Sequence, residues 1–399
     1  MRDHRESVVR LEAAFAKQAE EICHRIFLHP EKGMEEVFSS SLLAEVAERE
    51  GFTVQKPCCG MDTAFTALWG TKGPCVAFLA EYDALPGFGG DGNSYAHACG
   101  HNWIAAVETA AAVTLKNVCR ELGLQARILL AGCPAEETYG SKVLFCRNGI
   151  FDGVDCALQA HLGDTTNIYH RFLALSALEI RFFGKASHAS AAPWDGINAL
   201  DAVQLFYNGI SVLRQQLRPD VRIHGIVKEG GAAANSIPER ASCLYYVRAS
   251  RRDELDEVVE KVKNVARGAA LMTGARLELS EPELPMDDMV RLPALQALAA
   301  DCLAKEALFS VSAEEEARRA VGSTDVGNVS HVCPTLYMEV ADPDLPPFYG
   351  HTESALSLAD ERAYPLLHRV TRALTEMGLR VIEDPDLRQQ LWQQHAASI

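Results

Sequence analysis

A wholly apolar run, Cys75-Val76-Ala77-Phe78-Leu79-Ala80, stops abruptly on Glu81-Tyr82-Asp83. A strand with no polar alternation has both faces covered, the situation of a central strand in a parallel sheet walled by helices. An Ala-rich helical stretch over 103–121 leads into a second such run at 126–131, so strand, helix and strand read as one crossover unit. Open sheets of this kind place their sites just beyond the carboxyl ends of the strands. The polar residues that follow each apolar run are therefore the first place to look for chemistry.

The remaining pattern extends this α/β reading. Apolar residues recur at helical spacing over 8–27 and 36–50, strand-like runs occupy 64–69 and 156–159, and a helix is expected near 139–149. At 174–184 the texture changes to the alternation of a half-exposed antiparallel strand. A helix over about 196–217, strands near 221–228 and 241–249, and a helix over 252–272 follow, which is the split βαβ order of a ferredoxin-like module. Beyond the prolines at 282 and 285 the first texture returns, with a helix at 293–305, a polar loop over Gly322–Asn328, a strand at 335–340 and a closing helix near 359–377. The expected fold is a mixed, mainly parallel sheet with helices on both faces, formed by 1–173 and 286–399. An α+β lid or dimerisation domain, 174–285, is inserted into it.

A chain of 399 residues favours two such domains over one core. The formal net charge of −16 argues against nucleic acid or an anionic membrane surface as partner. No stretch approaches the roughly 20 apolar residues of a spanning helix, and Met1 to Val9 lacks a signal-peptide core. Twelve cysteines scattered without a CxxC pair read as reduced thiols, so a cytoplasmic protein is expected. The glycine-rich stretch Gly87 to Gly92 lacks the strand-loop-helix context and the Lys-Ser/Thr of a P-loop, which excludes a nucleotide cradle.

The chemistry centres on His97-Ala98-Cys99-Gly100-His101-Asn102. A glycine between thiol and imidazole lets the backbone turn tightly, so that Cys99 and His101 can aim soft and borderline donors at one centre. Taken alone, a Cys-Gly-His on a loop is more often an ordinary buried thiol beside a polar histidine. What favours a metal is the company downstream: Glu136-Glu137, His161 and His351, each following an apolar run. Side chains of consecutive extended residues point in opposite directions, so the adjacent carboxylates of Glu136 and Glu137 can serve two roles rather than one.

Together these motifs resemble the di-metal aminoacylase and carboxypeptidase family, in the branch of auxin-conjugate, hippurate and aminobenzoyl-glutamate hydrolases. The resemblance rests on Glu81-Tyr82-Asp83-Ala84-Leu85-Pro86, Ala98-Cys99-Gly100-His101-Asn102, Pro134-Ala135-Glu136-Glu137, Ala160-His161, Ser187-His188-Ala189, Asn235-Ser236-Ile237-Pro238-Glu239 and Gly350-His351-Thr352, in family order across nearly the whole chain. It implies two divalent ions (Zn²⁺, Mn²⁺ or Co²⁺) held by Cys99, His101, Glu137, His161 and His351. Glu136 matches the family's general base, and Asp83 an acidic residue that supports a ligand rather than binding the metal. His188, His224 and Asn235 match positions near the substrate. Arg248 would meet the substrate carboxylate or form an ion pair on its strand. Many auxin-type members carry Asp where this chain has Asn102, which resembles the aminobenzoyl-glutamate and dipeptide-trimming members.

The implied function is a metal-dependent amidohydrolase that cleaves N-acyl amino acids or short dipeptides bearing a free carboxylate and pairs as a homodimer through the inserted domain. Two other readings stand beside it: a catalytically silent binding or scaffold protein that kept the fold, and a cysteine-nucleophile hydrolase using Cys99.

Overall fold

The computed structural model describes residues 4–89, 94–319, 321–356 and 359–399. Met1 to Asp3, and Gly90 to Gly92 of the glycine-rich stretch, lie outside the described residues. The chain divides into two compact units, Met1–Arg171 with Met289–Ile399, and Phe172–Asp288.

The first unit opens with α1 (Arg5–Phe27), α2 (Val37–Arg49), β1 (Thr53–Gln55), β2 (Phe65–Trp69) and β3 (Cys75–Glu81). A short hairpin of β4 (Leu85–Pro86) and β5 (Tyr95–Ala96) precedes α3 (His101–Leu122), β6 (Arg127–Cys133), α4 (Lys142–Arg147) and β7 (Cys156–Leu162). The second unit holds β8 (Ala174–Phe183), α5 (Ala199–Leu213), β9 (Arg222–Glu229), β10 (Arg240–Ala249), α6 (Arg252–Thr273) and β11 (Arg276–Ser280). The chain then returns to the first unit with α7 (Pro293–Lys305), α8 (Ala313–Glu316), α9 (Val326–Val332), β12 (Thr335–Val340), α10 (Glu353–Leu356), α11 (Tyr364–Glu383) and α12 (Pro385–Ser398).

The main sheet runs β1-β2-β6-β3-β7-β12. Its β6, β3, β7 and β12 are parallel, while β1 and β2 are antiparallel additions at one side. Every residue of β3 is buried, as its unbroken apolar run demands. Helices α1, α3 and α11 pack against one another over this sheet. The alanines of α3 keep it thin enough to be buried on nearly all sides, with Trp103 fully enclosed and its indole N–H donating to the Ala363 carbonyl at 3.2 Å. Gly132 permits one close approach: a Cβ there would stand 2.0 Å from the Phe65 ring, its cross-strand partner.

The second unit is a four-stranded antiparallel sheet in the order β11-β8-β10-β9. Helices α5 and α6 pack on β8 and β10, enclosing Phe182, Phe206, Tyr245, Val247, Leu255 and Val262. The order is the split βαβ pattern expected from the alternating texture. β8 nevertheless is not half-exposed: it is buried from Ala174 through Ile180. Central placement explains this, because β10 and β11 flank it and the carboxylate of Glu179 is covered by ion pairs to Lys228 at 3.0 Å and to Arg181. β9 is one of the two edge strands, and almost all of it is exposed.

Several boundaries differ from the sequence reading. The supposed polar loop at 322–328 gives way to α9 from Val326, and the closing helix is followed by α12, which buries Leu391 and His395. No helix among the described residues is long and apolar enough to cross a membrane.

Candidate metal centre

Four connections beyond the carboxyl ends of β3, β6, β7 and β12 build the centre. Beyond β3, the Asp83 carboxylate is buried, and its Oδ1 lies 2.8 Å from His101 Nδ1. Its Oδ2 accepts the backbone N–H of Glu137 at 3.0 Å. One carboxylate thus orients two of the expected ligands. Gly100, at φ 76°, makes the turn into α3, and a Cβ there would press to 3.0 Å from Leu162 Cδ1. With Nδ1 engaged, His101 presents Nε2 inward, buried and without a hydrogen-bond partner among the described residues.

Glu136 and Glu137 do not alternate along an extended segment, as their adjacency in sequence suggested. They lie in a turn after β6 whose leading residue, Ala135, has φ 54°. A left-handed non-glycine residue costs about 1–3 kcal/mol, and the surroundings must hold it in place. Here the buried Glu36 carboxylate accepts the Ala135 N–H at 2.8 Å, while the Ala135 carbonyl accepts from Tyr139 and Gly140, both at 3.0 Å. Burial, together with the nearby Asp83 charge, pushes Glu36 up to about 7.

His161 sits in β7, its Nδ1 2.6 Å from the Leu162 carbonyl, so that Nε2 faces Cys99 Sγ at 3.5 Å. His351 arrives from the loop after β12 with φ 60°, pinned by its N–H to the Ala98 carbonyl at 2.9 Å. Its Nε2 lies 3.2 Å from Glu137 Oε1, and the side chain stays 56% exposed.

The structure therefore brings all five expected ligands together. Donor atoms of Cys99, His101 and His161 lie within 4.8 Å of one another, and so do those of Cys99, Glu137 and His351. Cys99 belongs to both sets, which is the arrangement two adjacent ions sharing one ligand require. The inward nitrogen of His101, buried without a hydrogen-bond partner among the described residues and 3.7–3.8 Å from carboxylate oxygens of Glu81 and Glu137, is an independent mark of a cation site. Sulfur, nitrogen and oxygen donors in this mixture suit Zn²⁺, Mn²⁺ or Co²⁺. The residues present fit a dinuclear metal group.

Electrostatics separate the adjacent glutamates. Burial raises Glu137, but its hydrogen bond with His351 and the charge of His101 outweigh this and draw it down to about 2. Glu136 is pushed well above the usual carboxylate range by burial, then by the charges of Glu81, Glu137 and Asp325. One carboxylate is thus held as an anion fit to bind a cation, and the other is disposed to hold a proton.

The remaining expected residues lie in the second unit and fall into two pairs. His188 and Asn235 are exposed and neighbouring: His188 bridges to Ser236, and Ala189 N–H donates to the Asn235 carbonyl at 3.0 Å. His224 and Arg248 flank Tyr246, the histidine ring edge-on at 5.8 Å and the guanidinium 5.8 Å from the ring centre. Asn102 is turned away from the donor cluster, its amide donating to the Ala359 carbonyl at 2.8 Å.

Sequence reasoning missed several polar residues around the centre. Glu36 holds the Ala135 turn; Glu339, paired with His161 across β12 and β7, lies 3.2 Å from His170 Nε2. Lys142 is buried against Glu81 and Asp325. A charged residue in an apolar context was the available signal for Glu81 alone.

A di-metal hydrolase of amide bonds is the class this fold and donor set define. Residues 174–271 match the model of the M20 peptidase dimerisation domain. The chain is 35% identical to the Xaa-Arg dipeptidase of Mus musculus over 348 residues, 83% of this chain and 77% of that protein. It is 34% identical to a p-aminobenzoyl-glutamate hydrolase polypeptide of Escherichia coli (strain K12) over 270 residues, 65% of this chain and 56% of that one. A Bacillus subtilis structure described as a dinuclear metal-binding peptidase from the M20 family shares the fold, with TM-score 0.64 and 20% identity over 93% of this chain and 99% of that one. The chain belongs to the M20 peptidase family and is a metal-dependent amide-bond hydrolase.

Proposed function

We propose that the chain hydrolyses the amide bond of dipeptides or N-acyl amino acids carrying a free carboxylate, with Glu136 as the proton carrier. The observation that carries this reading is the pair of donor sets overlapping at Cys99 with Glu136 beside them. Cys99, His101, Glu137, His161 and His351 would hold two ions, with Asp83 orienting His101 and Glu137. Bound there, such ions polarise a carbonyl and make water acidic enough to attack near neutral pH. The Glu136 carboxylate takes up the proton released by the attacking water and returns it to the nitrogen of the leaving amine. Its raised proton affinity suits it to that exchange.

The domain assignment follows from the same reading: 1–173 and 286–399 carry the catalytic machinery, and 174–285 serves as lid and dimerisation domain. With a net charge of −16, an anionic substrate needs a local positive site, and Arg248 with His224, His188 and Asn235 would supply it. The mouse relative is named for Xaa-Arg dipeptides and the E. coli relative for p-aminobenzoyl-glutamate, which favours small carboxylate-bearing amides here. A homodimer through the inserted domain is supported by the outer strand β9, where Ile226 is 61% and Val227 46% exposed. His224 on that strand would then be placed to serve a partner copy. Twelve cysteines, with no disulfide among the described residues, favour the reducing cytoplasm.

The test is a panel of dipeptides and acyl-amino acids with Zn²⁺, Mn²⁺ or Co²⁺ added, run beside Glu136→Gln. The variant should keep its metal by elemental analysis while kcat falls by about 10²–10⁴-fold. Near-normal turnover would remove Glu136 from the mechanism.

A further inference from the structure

Lys142 is the first residue of α4 and has no exposed side-chain surface. A buried ammonium is tolerated only when paired and hydrogen-bonded. Its Nζ lies 2.5 Å from Glu81 Oε1 and 2.6 Å from Asp325 Oδ1. Asp325 holds the same residue a second time, Oδ2 accepting the Lys142 backbone N–H at 2.9 Å. These contacts join the end of β3, the start of α4 and the residue that precedes α9.

The location gives this set a role beyond cohesion. Carboxylate oxygens of Glu81, Glu136 and Asp325 lie within 4.8 Å of one another, so the ammonium stands against a group of three acids that includes the proton carrier. Unscreened anions at that spacing repel strongly in a buried site. A cation fixed by covalent linkage to the chain keeps them together without exchanging with solvent. The turn bearing Glu136 and Glu137 is tethered at its front by the Ala135 N–H to Glu36 and the Glu137 N–H to Asp83. Among the described residues, Lys142 supplies the rear attachment.

We propose that Lys142 is a positioning residue for the hydrolysis, its ammonium clamping Glu81 and Asp325 so that the turn holds Glu136 at the reacting centre. This rests on Glu136 as the proton carrier. The ligand Glu137 has its own tether through Asp83, so loss of the clamp degrades turnover before it releases metal.

The test compares Lys142→Met and Lys142→Ala with the parent metal-loaded enzyme, reading metal content, kcat and KM. In Lys142→Met, kcat should fall by about 10²-fold with KM within about 3-fold and metal content retained, toward the low end of what a disabled proton carrier costs. Ethylammonium should restore part of the kcat of Lys142→Ala, whereas ethanol, of similar size and no charge, should not. Parent-level kcat in Lys142→Met, loss of kcat in step with metal, or equal rescue by ethanol would each overturn the clamp. Should both variants fail to fold, Asp325→Asn, which leaves Lys142 on Glu81, should retain metal and lose kcat by about 10-fold; parent-level kcat there also overturns it. Glu136→Gln in the same assay separates the two readings. Full activity of that variant sinks the proton-carrier role, whereas an inactive Glu136→Gln beside a fully active Lys142→Met sinks the clamp alone.

Discussion

The two candidate regions of this molecule are built in opposite ways. Around the donor cluster, four of the five expected ligands are held by a second group: Asp83 on His101 and Glu137, the Leu162 carbonyl on His161, the Ala98 carbonyl on the backbone of His351. In the second unit, His188, His224 and Asn235 are exposed, and Tyr246 stands between His224 and Arg248. Rigid chemistry needs fixed donors, since an error of an ångström is costly in a reacting centre. Recognition of varied small amides tolerates looser, more solvated contacts. On the proposed reading, bond cleavage would fall to the first region and selectivity to the second.

The largest effect should come from the ligand common to both donor sets. Cys99→Ala is expected to lower the bound metal count and abolish measurable turnover; full metal on elemental analysis would show that the sulfur is no ligand and would break the contrast. Arg248→Ala should act at the other region and more gently. If the guanidinium meets the substrate carboxylate, kcat/KM should drop by about 10–100-fold, equivalent to the ~1.5–3 kcal/mol of a charged hydrogen bond, with kcat nearly unchanged. Amidated substrates, lacking that carboxylate, should lose nothing further, and an equal loss on both would assign Arg248 to the strand instead.

A smaller effect, at a contact between α1 and α11, calibrates them. His368 on α11 sits between Glu12 Oε1 at 2.8 Å and Glu20 Oε1 at 2.9 Å on α1. The hydrogen bond to Glu12, then that to Glu20, raises its pKa against the opposing effect of burial. A raised value means the protonated form is stabilised by folding. That stability is fully present below the ordinary histidine value of about 6.5 and fades as pH climbs through the raised one. Tm should therefore fall by roughly 1–3 °C across that window, and His368→Gln should flatten this part of the slope. An unchanged slope in the variant would mean the contact contributes no pH-dependent stability.

Much of this architecture was legible in the amino-acid order because local signals and burial agreed. The run from Cys75 to Ala80 is a fully buried strand, and the donors Cys99, His101, Glu137, His161 and His351 stand together at one end of the sheet. What escaped was of two kinds. Lys142 and Asp325 are 183 residues apart, and a lysine at a helix start reads as solvent-facing until its partners are seen. The second kind is conformational: Glu136 and Glu137 looked like consecutive extended residues because nothing about Ala135 announces a left-handed backbone. The segment after Pro385 was overlooked for a related reason, its many glutamines concealing the burial of Leu391 and His395.

The twist at Ala135 leaves little latitude to that position. Facing it is Gly33, where a methyl would stand 2.9 Å from the Ala135 Cβ, so neither residue can enlarge without dislodging the other. Both glutamates follow this one joint, but only Glu137 has a further hold, its N–H on Asp83. On the proposed reading, a change that let the joint unwind would disturb proton handling first and ion retention after it, however intact the donor side chains themselves remained.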